Sequence, residues 1–191
     1  MNNVLFVHGF NSSPLSIKAQ LTKQYLEQYY PSVKFHCPQL ATTPKNAIKQ
    51  LEHYVKSAPN EKWALIGSSL GGYFSTFLSE VYNLKAVLIN PAIKPYELLS
   101  DYIGEQINPY TQEVYSIEYS YIQDLVALEK QYIVKNNYMV MVQTGDEVLN
   151  YQQAVDKFNN SLVIVQSGGN HSFEHYESML PKIAEFLELE A

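Results

Sequence analysis

The chain has 191 residues, 46% apolar and 17% charged, which suits one domain over residues 1–191 with a sizeable core and excludes a disordered segment. Its formal net charge of −6 is spread over short segments without the basic patch that phosphate neutralisation needs, which argues against nucleic acid as a partner. The single cysteine, Cys37, allows no internal disulfide, and no apolar run is long enough for a signal peptide or a bilayer span, so the expectation is a cytoplasmic protein without membrane contact.

Short β-rich apolar runs recur along the chain, with helical stripes between most of them. Residues 4–7 predict the first strand. Ser13-Pro14 then offers an N-cap and a first-turn proline before Ile17, Leu21, Tyr25 and Tyr29, four apart on one helix face. Residues 33–36 read as a second strand, and Thr43-Pro44 repeats the start signal ahead of Ala47, Ile48, Leu51 and Val55. Residues 63–66 and 86–89 read as the third and fourth strands, with a helix over 73–81 between them. Residues 138–142 and 162–165 are the fifth and sixth, separated by the stripe Tyr151, Ala154, Val155 and Phe158. A last stripe, Tyr176, Met179, Leu180, Ile183 and Leu187, closes the chain. Strands apolar on both faces, alternating with helices, predict an α/β fold with a covered parallel sheet. Prolines, a glycine and many tyrosines break any period between the fourth and fifth strands. That span, about 92–136, is expected to form a small cap over the carboxyl edge of the sheet.

The sharpest chemical signal is Gly67-Ser68-Ser69-Leu70-Gly71-Gly72. It fits G-x-S-x-G between a strand and a helix, the nucleophile elbow that lifts a serine hydroxyl above a sheet edge. Ser69 is therefore the candidate nucleophile, against the plainer reading of a tightly packed glycine turn. A hydroxyl needs a base to take its proton, and in this arrangement the acid and then the histidine follow the serine in the chain. Asp146, in Gln143-Thr144-Gly145-Asp146-Glu147, and His171, in Gly168-Gly169-Asn170-His171, each follow a strand and fit those places. Glu147 is an alternative acid. His8 precedes the nucleophile, His36 lies in a strand, and His53 and His175 lie on expected helices, so packing explains them better. Two donors should hold the oxyanion: the amide of Leu70, just after the nucleophile, and the amide of Phe10, in the His8-Gly9-Phe10-Asn11 loop after the first strand. His8 is expected to be structural. Metal-ligand spacings, Walker A and G-x-G-x-x-G patterns are missing, so neither metal nor organic cofactor is expected. Cys37 reads as a small buried hydrophobe.

Several blocks together resemble the YqiA-type esterases, a bacterial branch of the α/β-hydrolases. They are His8-Gly9-Phe10-Asn11-Ser12-Ser13-Pro14, the elbow with Tyr73, Asn90-Pro91-Ala92, Asn108-Pro109-Tyr110-Thr111, Gln143 to Leu149, and Gly168 to His171. The resemblance covers almost the whole chain. It implies an intracellular serine esterase with Ser69, Asp146 and His171 at the family's catalytic positions. In the cap, Tyr121 stands ahead of Asp124-Leu125 where the family tends to carry a histidine, and Asn150 stands where an acidic residue is expected.

The expected architecture is a reduced α/β-hydrolase fold: three layers, α/β/α, around a mostly parallel sheet of about six strands. The expected activity is hydrolysis of a small carboxylic ester of short to medium acyl chain through an acyl-enzyme on Ser69. A thioesterase acting on acyl-CoA or an acyl carrier would use the same groups, and a binding module without turnover is the third reading. Oligomeric state is not legible in the chain.

Overall fold

Apolar side chains on both faces of each strand demand a sheet covered twice. The computed structural model, which describes residues 1–131, 133 and 137–190, contains such a sheet. In chain order the strands are β1 (Asn3–Val7), β2 (Lys34–His36), β3 (Trp63–Ser68), β4 (Lys85–Ile89), β5 (Gly104–Ile107), β6 (Val114–Ile117), β7 (Tyr138–Gln143) and β8 (Leu162–Gln166). Among the described residues the main sheet has six strands in the order β2-β1-β3-β4-β7-β8, each paired parallel to its neighbour.

Side chains alternate between the two faces along a strand. Leu5, Val7, Leu65, Leu88 and Val140 enter one core, with α2 (Pro44–Ser57), α3 (Leu70–Tyr82), α5 (Tyr119–Ala127) and α6 (Tyr151–Lys157) around it. Val4, Phe6, Ala64, Ile66, Val87, Met139 and Met141 enter the other, under α1 (Ile17–Tyr29) and α7 (Leu180–Phe186). Three layers result, as the patterning of the strands anticipates.

The register matters most for function. Val7 of β1 lies beside Gly67 of β3, Ser68 beside Ile89 of β4, and Gln143 of β7 beside Gln166 of β8. The carboxyl ends of five strands therefore finish at one edge, and their loops meet there. The chain runs outward from β1 to β2 on one side, and from β3 through β4, β7 and β8 on the other. The crevice between β1 and β3 is thus the topological switch point, where ligands of open parallel sheets bind.

Some local expectations need correction. Of the expected α1 face only Leu21 and Tyr25 pack against the core: Ile17 is 77% and Tyr29 51% exposed, while Ala19, Thr22 and Leu26 are the buried residues. A spacing of four overshoots the 3.6-residue turn, and three such steps drift by about 120° around the helix. Ser13 does not cap this helix. Ser16 holds the N-cap position, and the Ser13 hydroxyl accepts the Leu15 amide in the preceding turn. Thr43 and Pro44 do stand at the N-cap and first turn of α2. The last stripe is buried as expected but breaks into a short 3₁₀ turn, Tyr176–Met179, followed by α7, with Pro181 near its start. His175 precedes that turn in a left-handed conformation, outside any helix. Cys37 is half-buried, and burial pushes its thiol up to about 12, which leaves it a protonated spacer.

Between β4 and β7 lie α4 (Pro95–Leu99), a 3₁₀ turn at Ser100–Tyr102, the antiparallel hairpin of β5 and β6, and α5. The strands of this hairpin are only four residues long and half of their residues are exposed, so the sequence carries little strand signal there. Tyr132 and residues 134–136, the end of the expected cap, lie outside the described residues. Among the described residues no helix is long and apolar enough to cross a membrane.

The first turn of α3 and the end of β1 approach each other closely. A Cβ on Gly71 would collide with the Val7 carbonyl and sit 2.6 Å from the His8 carbonyl oxygen. Gly71→Ala is expected to destabilise the protein by about 3 kcal/mol, the upper end of overpacking costs, in urea denaturation; an unchanged midpoint would contradict the packing.

Candidate active site

Ser69 stands between β3 and α3 at φ 56° and ψ −120°, a conformation that costs an ordinary side chain about 1–3 kcal/mol. The neighbouring strand holds it there: the Ser69 amide donates to the Ile89 carbonyl at 3.0 Å, and its carbonyl accepts the Ala92 amide at 3.0 Å. Gly67 and Gly72 allow the turn to close, since a Cβ on the first would strike Gly71 and Ser75 and one on the second would approach Pro91 Cβ to 2.7 Å.

Three side chains distant in sequence meet at this edge. Ser69 Oγ lies 3.1 Å from His171 Nε2, and His171 Nδ1 lies 2.8 Å from Asp146 Oδ2 and 3.0 Å from Oδ1. The Asp146 side chain is 1% exposed. Its Oδ1 also accepts the amides of Val148 and Leu149 at 2.9 and 2.8 Å. Burial by itself would raise this carboxyl, but the hydrogen bonds from His171, Leu149 and Val148 outweigh it and hold Asp146 below the usual aspartate range. Glu147, the alternative acid, accepts the backbone amide of His171 at 2.9 Å and not its imidazole. The geometry therefore pairs the ring with Asp146 and gives Glu147 a supporting place on the loop.

Gly9 packs directly on the elbow, with room for an added Cβ only 3.2 Å from Ser69 Cβ and 3.8 Å from its Oγ. Leu70 opens α3, where first-turn amides have no intrahelical partner. Among the described residues neither the Phe10 nor the Leu70 amide makes a turn or side-chain hydrogen bond. His8 braces this loop from below, donating from Nδ1 to the Gly9 carbonyl at 3.0 Å and accepting the Leu40 amide at Nε2 at 3.1 Å. Burial lowers its basicity, and the bond to Gly9 offsets this only in part, which suits a neutral structural ring.

Two residues with no assigned role in the sequence hold the histidine loop. Asn90, buried and at φ 39°, donates from Nδ2 to the carbonyls of Asn170 and His171 at 3.0 and 3.1 Å, and accepts the Gln143 amide at 3.0 Å. Gln143, also buried, accepts the amides of Asn170 and Glu174 at its Oε1 and donates to Gln166 Oε1 and the Glu174 carbonyl. A polar residue closing each of two apolar strands was the available signal. Asn150 accepts the Gln152 amide as the N-cap of α6, which accounts for it locally.

A cavity of about 380 Å³ opens on Ser69 and His171, bordered by Phe10, Ile17, Lys18 and Tyr110. The hairpin carrying Tyr110 is tied to the first loop by Asn108 donating to the Ser12 carbonyl and Tyr115 to Asn11 Oδ1. Tyr110 thus borders the cavity, while Tyr73 and Tyr121 are buried. Among the described residues no group of three or more His, Cys, Asp or Glu is arranged to hold a metal ion.

The model of the family described as an uncharacterised protein family, UPF0227, matches residues 3–188. The chain belongs to this family. YcfP and the YqiA type fall within it, in accord with the resemblance of the motif blocks. YcfP from Escherichia coli O9:H4 (strain HS) is 21% identical over 188 residues, 97% of this chain and 99% of YcfP. Among solved structures, mouse alpha/beta hydrolase domain-containing protein 10 superposes with a TM-score of 0.72 at 17% identity, over 97% of this chain and 89% of that one. Est1E from Butyrivibrio proteoclasticus with ferulic acid bound gives 0.74 at 15% identity, over 99% and 89%. The fold of this UPF0227 chain is that of the α/β-hydrolases.

The depressed Asp146 carboxyl makes a pH prediction. A group whose folded pKa lies below its unfolded value, about 4 for aspartate, stabilises the fold above that range, and the contribution disappears as pH falls through the folded value. The stability gap between wild type and Asp146→Asn should therefore narrow from pH 7 to pH 3 in urea titrations. A gap independent of pH would contradict the hydrogen-bonded carboxylate.

Proposed function

We propose that the protein is a serine hydrolase that cleaves carboxylic esters of short to medium acyl chain through an acyl-enzyme on Ser69. The observation that carries this reading is the continuous relay from the Ser69 hydroxyl through His171 to the enclosed Asp146 carboxylate, at 3.1 and 2.8 Å. Each contact suits its role. His171 Nε2 accepts the hydroxyl proton while Oγ attacks the acyl carbonyl carbon. Asp146 fixes the tautomer with Nδ1 protonated and stabilises the imidazolium that forms. The carbonyl electrons move onto oxygen, which the amides of Phe10 and Leu70 receive. Collapse expels the alcohol, which takes the proton from His171. Water then attacks the acyl-enzyme, giving a proton to the same nitrogen, and Ser69 leaves as that proton returns to it.

Two further observations support an ester substrate. The cavity of about 380 Å³ sits at the lower end of small-molecule sites, which matches a modest acyl group. Est1E, with the same fold, has ferulic acid bound, a carboxylic acid and so of the product class of ester hydrolysis.

Ser69→Ala is expected to lower kcat by roughly three orders of magnitude or more, with the fold retained, on a panel of acyl esters of graded length and one matching thioester. Wild-type turnover by the purified variant would remove Ser69 from the mechanism. Asn90→Ala, which frees the histidine loop without touching substrate, is expected to cut kcat by about a hundredfold, the cost of an ångström-scale misplacement, with KM little moved. Unaltered kcat in a folded variant would show that the buried clamp does not position the imidazole.

A further inference from the structure

An ammonium group withdrawn from water is unfavourable unless anions or several acceptors surround it. Lys18, half-buried, is partly withdrawn in this way on the wall of the cavity that holds Ser69 and His171. Its Nζ donates to the Ser172 carbonyl at 2.9 Å, one residue beyond the candidate base. An ammonium has three N–H donors, and among the described residues no carboxylate lies within 4.0 Å of this one. Burial pulls Lys18 below the usual lysine range, and the charge of Asp146 offsets this only in part. Its place in the first turn of α1, with no acidic residue alongside, is the helix end where the macrodipole disfavours a cation.

The other ionisable groups around the cavity do not neutralise it. His8 is committed to Gly9 and Leu40, and His171 to Ser69 and Asp146. His175 and Glu177 also border the space, and Glu177 forms no ion pair with Lys18 among the described residues. The cavity wall also carries Ile17, Leu21 and Phe173, apolar surface suited to a short methylene chain.

We infer that the substrate carries a carboxylate, on its acyl or its alcohol side, and that Lys18 binds it in the cavity beside Ser69. This rests on the serine-hydrolase reading and adds the charge of the substrate to it. The bound carboxylate supplies the ion pair that the protein withholds from Lys18, and the free N–H donors become hydrogen bonds to its oxygens.

The test is the ratio of kcat/KM for charged and neutral partners of one size. Mono-4-nitrophenyl adipate against 4-nitrophenyl hexanoate places the charge on the acyl side. Hexanoyl glycolate against its methyl ester places it on the alcohol side. The wild type is expected to favour the charged partner by about tenfold or more in one pair. Lys18→Met should abolish that preference and Lys18→Arg should keep most of it. Lys18→Gln, which retains a donor for the Ser172 carbonyl, should lose the preference as Lys18→Met does. A ratio tells binding from positioning, because a disturbed Ser172 loop slows both partners alike. Equal ratios in wild type and Lys18→Met for both pairs would overturn the carboxylate site while hydrolysis of the neutral ester left the serine-hydrolase reading standing. Failure of the wild type to turn over any of the four would remove that reading, and the carboxylate site with it.

Discussion

Ser69 can hold a left-handed backbone only because the chain on either side of it is packed without slack. The first turn of α3 presses Gly71 onto the carbonyls of Val7 and His8, and a hydrogen bond to Ile89 fixes the Ser69 amide. The energy of those contacts offsets the torsional strain, and the strain in turn directs the hydroxyl outward at the sheet edge. The same close approach brings Gly9 against the serine side chain. One packing contact therefore sets the positions of both the hydroxyl and the loop expected to supply an oxyanion donor.

The rest of the site follows from register. Parallel strands that end level deliver their following loops to a common rim, so residues 69, 146 and 171 meet without any long excursion of the chain. Level ends alone would not fix the backbone of the histidine loop, in which Gly168 and Gly169 both take positive φ. The buried amides of Asn90 and Gln143 remove that freedom by taking up backbone groups of Asn170, His171 and Glu174. The imidazole is thus positioned from its backbone by two strands and through its ring by Asp146.

The elements that the chain announced most clearly were those whose surroundings matched their local pattern. The central strands β1, β3, β4 and β7, buried on both faces, and α2 with its Thr43-Pro44 start show this agreement of burial and period, while the edge strands β2 and β8 are partly exposed. The face of α1 misled because large residues spaced by four suggested a stripe, whereas the buried face is made of Ala19, Thr22 and Leu26. The β5–β6 hairpin carried little periodic signal, being short and only partly buried. Asn90, Gln143 and Lys18 act through groups brought near them only by tertiary structure, and no local spacing encodes that. Family membership follows from a match to the family model over residues 3–188, whereas the charge of a substrate depends on a cavity wall assembled from separate segments.

The central claim is that His171 activates the Ser69 hydroxyl, and the most direct measurement is the rate and site of labelling by a fluorophosphonate, followed by mass spectrometry of the intact protein and its peptides. The relay predicts one adduct, on Ser69 of the wild type, forming far more slowly in a folded His171→Ala variant. An adduct elsewhere, or equal rates in the two proteins, would contradict it.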